Sequence, residues 1–266
     1  MRVHAIQTGR VQIKASQIVG RGHGLKRRLA PLIDAEWSAW LPTLAYAIEH
    51  RDGVILVDTG ASAALKRLPH WHPYFRLSVR FDIEPEQEAE PQLRAIGIGA
   101  ADVKRVVLTH LHIDHDAALA AFPKSEILVG PGEIAAASGI AGRVRGYLPQ
   151  RWPKNFDPKP LVVDGGPYGP FQRSRRLTAD GAIVAVGTPG HTPDHLSVIV
   201  EDDQNGDLPR RRRLLQRSDD ADRPDRRGRR RRGGRVRDAR RHPGVRRGTA
   251  NDLSAGARSG CGATAR

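Results

Sequence analysis

One stretch constrains this chain more than any other: Arg105-Val106-Val107-Leu108-Thr109-His110-Leu111-His112-Ile113-Asp114-His115-Asp116. An apolar run of strand type ends at Thr109. While the chain stays extended, His110 and His112, two positions apart, project to the same side. Asp114 and His115 follow where the chain is expected to turn into a helix. A single short loop therefore delivers three imidazoles and a carboxylate to one place, a donor set suited to zinc or another first-row divalent ion. Three histidines within six residues are not what scattered surface imidazoles produce. Asp116 reads as a helix N-terminal carboxylate.

A second candidate loop is Val186-Gly187-Thr188-Pro189-Gly190-His191-Thr192-Pro193-Asp194-His195. It too follows a strand-like run, in a turn set by Pro and Gly. His191 is the expected third imidazole on a first metal. His195 reads as a core histidine with its hydrogen bonds satisfied, or as a residue that supports a ligand from behind. Asp58, in Leu56-Val57-Asp58-Thr59-Gly60, ends another apolar run. It is either an ordinary turn or capping aspartate, or a carboxylate that holds a ligand imidazole or its loop in place.

Around these loops the sequence predicts strands at 3–6, 43–49, 53–58, 105–109, 126–129, 182–186 and 196–201. Val, Ile and Leu dominate them, as in strands buried on at least one face. Arg51-Asp52-Gly53 is a hairpin signal between two of them. Helices are expected at 86–95, 117–122 and 132–137, with breaks at Pro123, Pro131 and Gly165-Gly166-Pro167. Strands interspersed with helices argue for a layered α/β body.

That body ends near residue 203. All 13 aromatic residues lie at or before Phe171, and 204–266 has no aromatic, no Ile and no Lys. This segment holds 20 Arg and 7 Asp, whereas residues 1–203 hold 24 Lys plus Arg against 22 Asp plus Glu. The net charge of +15 therefore belongs to the tail. It does not mark the body as a binder of nucleic acid. A segment of this kind buries too little apolar area to offset its ordering entropy and reads as a disordered basic tail. The single cysteine, Cys261, excludes a disulfide framework and a cysteine-based zinc site. No run approaches the ~18 apolar residues of a membrane span, and no signal-type apolar region opens the chain. The expected location is cytoplasmic, with no membrane partner.

The Thr-His-Leu-His-Ile-Asp-His run at 109–115 resembles the His-x-His-x-Asp-His signature of metallo-β-lactamase-fold hydrolases. Val57-Asp58-Thr59-Gly60 and Thr188-Pro189-Gly190-His191-Thr192-Pro193 match two further blocks of that superfamily in order. Within it, residues 1–203 look most like the N-acyl homoserine lactonase-like group, through Val3–Gly9, His72-Pro73-Tyr74-Phe75 and Arg145-Gly146-Tyr147-Leu148-Pro149. The resemblance implies an αββα sandwich and two zinc sites. His110, His112 and His191 would form the first site, and Asp114 and His115 would begin the second. The activity implied is opening of a small-molecule lactone or related ester by a metal-bound hydroxide that Asp114 orients. Tyr147 is within reach of such a substrate or is a buried structural tyrosine.

The pattern then breaks. The superfamily supplies two more ligands after His191: a bridging Asp in a Gly-Asp motif, and a final His, often in a Leu-Pro-x-His stretch. Neither is found in 204–266. Asp207 sits in a polar turn, and His242 is embedded in Arg and Gly. The sandwich is thus expected to be incomplete at its C-terminal end, the second site weak and activity impaired. Out-of-frame translation of a GC-rich gene accounts for both the composition and the missing ligands. Permitted codons for 253–262, read one base later, can spell a Leu-Pro-x-His stretch, and the slip is expected between about residues 202 and 213. Alternative readings keep the fold but change the substrate to a thioester or phosphodiester, or make the Arg-rich tail a non-specific nucleic-acid binder. Such a tail lacks the aromatics that stack on bases, so no specific nucleic-acid partner is expected.

Overall fold

The computed structural model describes residues 1–19, 24–68, 72–144, 146–202 and 211–215. All of them fall within the first of two units divided at Gly234. Among them lie two β-sheets. The first holds β1 (Arg2–Ile13), β2 (Leu41–His50), β3 (Gly53–Val57), β4 (Val79–Asp82), β5 (Val103–Leu108), β6 (Glu126–Val129) and β7 (Lys159–Pro160). Their spatial order is β4-β1-β2-β3-β5-β6-β7. Pairing is antiparallel from β4 to β3 and parallel from β3 to β7. The second sheet is antiparallel, in the order β11-β10-β9-β8, with β8 (Ser174–Arg176), β9 (Ile183–Gly187), β10 (Leu196–Asp202) and β11 (Arg211–Leu215).

Side-chain alternation explains how the central strands serve two layers at once. Val54 and Leu56 of β3, with Val106 and Leu108 of β5, join Ala89, Leu93 and Phe122 in one apolar cluster. Ala89 and Leu93 come from the helix Ala89–Ala95, and a later helix, Pro131–Ala137, adds Ala137. The intervening Ile55, Val57 and Val107 face the second sheet, where they cluster with Ile183, Ala185, Leu196, Val198 and Val200. On the far side of that sheet Val184, Val186 and Ile199 are covered by Tyr168 and Phe171.

The hairpin at 51–52 forms as expected. Gly53, not Asp52, takes the left-handed conformation, at φ +108°. The first strand runs well past residue 6, because polar and apolar positions alternate as far as Ile13 around an irregularity between Gln7 and Arg10. The helix expected over 117–122 is replaced by turns and a single 3-10 turn at Leu119–Ala121. Its residues are drawn against Thr59, whose hydroxyl accepts the Ala118 N–H. Beyond the compositional boundary at 203/204, β11 pairs with β10 and buries Leu215. Asp207, His242 and Cys261 lie outside the described residues, as does most of the basic tail. No described helix is long and apolar enough to cross a membrane.

Candidate metal centre

Two loops meet where β5 and β9 end. The first leaves β5 at Leu108 and winds into a one-turn helix, Ile113–Asp116, closed by His115 and Asp116 N–H groups donating to the His112 carbonyl. The second connects β9 to β10, with its base closed by Thr188 N–H donating to the His195 carbonyl at 2.8 Å. A backbone hydrogen bond from Leu196 N–H to the Thr109 carbonyl, 2.9 Å, joins the loops. The sheets therefore fix the spacing of the histidines in the two loops.

His110, His112 and His191 each offer a ring nitrogen to a common point, these atoms all lying within 4.8 Å of one another. His191 Nε2 is 3.1 Å from His110 Nε2 and 2.9 Å from His112 Nδ1. A tetrahedral ion with metal–nitrogen bonds of about 2.0–2.1 Å separates its ligand nitrogens by about 3.3 Å. Two of the three nitrogen–nitrogen separations come within a few tenths of an ångström of that spacing and the third is no more than 4.8 Å, so the three imidazoles converge as ligands of one divalent cation. Among the described residues this is the one group of three or more metal-competent side chains.

Hydrogen bonds from behind settle which nitrogens are available. Asp58 accepts the Thr109 N–H (2.7 Å), the Thr109 hydroxyl (2.9 Å) and His115 Nδ1 (2.8 Å). With its one proton given to Asp58, the Thr109 hydroxyl accepts from His110 Nδ1 at 3.0 Å. That places the proton of neutral His110 on Nδ1 and leaves Nε2 as a lone pair. His115 Nδ1 is likewise engaged by Asp58, which leaves Nε2 as its remaining donor atom. Burial, followed by the neighbouring His115, His191, His112 and His195 rings, holds the pKa of His110 well below the ordinary histidine value. A ligand imidazole must be neutral in this way.

Asp58 itself adopts φ +58°, the one described non-glycine residue in the left-handed region. Such a conformation costs about 1–2 kcal/mol, and the three hydrogen bonds offset it. Asp58 thus forms a turn and also holds the His115 ring. Asp114 Oδ2 is 3.8 Å from His115 Nε2, and the His115 ring lies 4.0 Å from that of His110. His195 stands behind the cluster. Its ring is 5.0 Å from His110, and its Nδ1 is 2.8 Å from the Thr188 hydroxyl. Asp116 lies in the first turn of the short helix and is also its last residue. It is buried, accepts Trp152 Nε1–H at 2.6 Å, and its carboxyl is pushed up to about 7, chiefly by burial.

Tyr147 is buried, its ring 4.7 Å from that of His112 and its hydroxyl 3.4 Å from Glu133 Oε2. Glu133, in the first turn of the helix Pro131–Ala137, is fully buried, and its pKa is raised by that burial. Its role is not legible in the sequence. The one signal was an acidic residue just after Gly130-Pro131-Gly132 within an otherwise apolar helix.

The metallo-beta-lactamase superfamily profile matches residues 38–205, and the chain belongs to that superfamily. It is 28% identical over 204 residues to the N-acyl homoserine lactonase AttM of Rhizobium radiobacter, covering 75% of this chain and 71% of that one. A probable metallo-hydrolase of Mycobacterium tuberculosis is 32% identical over 161 residues, 58% of this chain and 51% of that one. Among solved structures, an N-acyl homoserine lactone hydrolase with N-hexanoyl-L-homoserine bound at its catalytic metal centre superposes with a TM-score of 0.58. It shares 21% identity, and the match covers 77% of this chain and 72% of the other. The two-sheet arrangement is thus the metallo-beta-lactamase fold, and membership of the family makes the chain a metallo-hydrolase.

Proposed function

We propose that this metallo-hydrolase opens the ring of an acyl homoserine lactone or a related small ester in the cytoplasm, a quorum-quenching type of activity, with zinc as its metal. The observation that carries the reading is the convergence of His110, His112 and His191 from two loops. Its similarity to lactonases along most of the chain adds the substrate class.

A divalent ion held by these imidazoles supplies Lewis acidity, which acidifies water and polarises an ester carbonyl. The chain's own groups do the rest. Asp58 and Thr109 fix the tautomers of His115 and His110, so that lone pairs face the site. Asp114, partly exposed beside His115, orients the attacking water and takes its proton. That proton passes to the ring oxygen as its bond to the carbonyl carbon breaks, leaving a hydroxy acid. Asp114 and His115 alone begin a second position, so we expect one ion bound well and a second weakly, with activity below that of an intact relative.

Proton release from acyl homoserine lactones tests the reading, using the full chain stripped by chelator and then reloaded with zinc, manganese or cobalt. Metal-dependent ring opening that His110→Ala abolishes is the expected result. Hydrolysis that survives both the chelator and that substitution would overturn it.

A further inference from the structure

The carboxylate of Glu133 links three segments. Oε2 lies 3.4 Å from the Leu111 N–H, between the two histidines of the first loop, and 3.4 Å from the Tyr147 hydroxyl. Oε1 accepts the Asp194 N–H of the second loop at 3.2 Å. Asp194 returns the contact: its Oδ2 accepts the Gly132 N–H at 2.7 Å, one residue before Glu133. The approach is so close that a Cβ at Gly132 would sit 2.9 Å from that of Asp194, and one at Gly130 would sit 2.6 Å from the Asp194 carbonyl oxygen. Glu133 is fully buried, and among the described residues it forms no ion pair with a lysine or arginine. A neutral amide offers one acceptor oxygen, whereas a carboxylate offers two, so a single side chain here can take the Leu111 N–H on one oxygen and the Asp194 N–H on the other.

We infer that Glu133 is a positioning residue, which locks the His191 loop onto the His110/His112 loop and so sets the affinity of the centre for its cation. The inference rests on the metal reading given above. The loops belong to different sheets, and among the described residues the Leu196–Thr109 bond is the one backbone–backbone hydrogen bond between them. A second tie, running through Glu133 to Leu111 and Asp194, restrains the two loops from swinging apart. Three imidazoles bind an ion tightly only if they are held in place before it arrives.

Two measurements on the full chain decide this, with Glu133→Gln as the variant and Glu133→Asp as a second should the first not fold. Ile199→Ala is the control for simple destabilisation, since Ile199 is buried on the far side of the second sheet among Val184, Val186, Tyr168 and Phe171. Zinc affinity, measured by competition with a chromophoric chelator, is expected to fall at least about tenfold for the Glu133 variants and to stay unchanged for Ile199→Ala. In the metal-free chain, hydrogen exchange at the Leu111 and Asp194 amides is expected to accelerate together in the variants, and not in the control. Unchanged zinc affinity, or unchanged protection of both amides, would overturn the inference. A wild-type chain that takes up no divalent ion would instead defeat the metal reading, and amide exchange would still decide whether Glu133 ties the loops.

Discussion

Asp58 illustrates how much a single residue can carry. A left-handed backbone and three accepted hydrogen bonds, one of them from the His115 ring, coincide there. The two effects are separable. Asn tolerates the left-handed region, so Asp58→Asn should keep the turn and lower metal affinity about 10- to 100-fold through the His115 and Thr109 contacts. Asp58→Ala should in addition destabilise the metal-free chain by about 3 kcal/mol, from a strained φ and buried donors left unpaired. Urea unfolding in the presence of chelator checks the second claim, and equal stability of the two variants would refute it. The triad itself was legible because two of its members sit two apart at a strand end and the third lies in a second loop of like build. The role of Asp58 stayed open because a turn aspartate and a ring-holding aspartate have the same sequence. Glu133 was not legible: its partners at Leu111 and Asp194 are 22 and 61 positions away, and nothing local announces them.

At the scale of elements, the central strands stood out because they are apolar on both faces, and those strands position the site. The short edge strands β4, β7 and β8 carry Arg, Asp, Lys and Pro in place of an apolar run, so pairing with a neighbour is their only signature. Composition masked β11 in the same way, three arginines preceding two leucines. Leu215 is buried against the inter-sheet core and Leu214 is 47% exposed. Leu215→Ala is therefore expected to cost about 2 kcal/mol or more, and Leu214→Ala within about 0.5 kcal/mol. Denaturant unfolding distinguishes them, and equal small effects would remove β11 from the folded body.

For the molecule as a whole, one surface contact joins the ends of the two sheets. Asp180, between β8 and β9, accepts from His50 Nε2 at 2.9 Å and from the Ala182 N–H at 3.1 Å, with Arg51 3.6 Å away. Hydrogen bonds from Thr178, His50 and Ala182 hold its carboxyl well below the usual range. A carboxyl that binds its proton less tightly when folded contributes stability above its unfolded pKa of about 4, and that contribution fades as pH falls through the folded value. Asp180→Asn should therefore be less stable than the wild type at pH 7, the gap in urea midpoint narrowing from about pH 4 downward. A gap independent of pH would contradict this.

We further propose that residues beyond the 202–213 region are read out of frame. The gene sequence tests this: an insertion or deletion relative to related genes is expected there, and its absence would end the idea. The central claim, however, concerns the metal. Its most direct test is elemental analysis of the full chain after dialysis against zinc, beside His191→Ala. One tightly held ion per wild-type chain, lost in the variant, is the result expected. A wild-type chain without metal, or a His191→Ala chain that keeps it, would contradict the account.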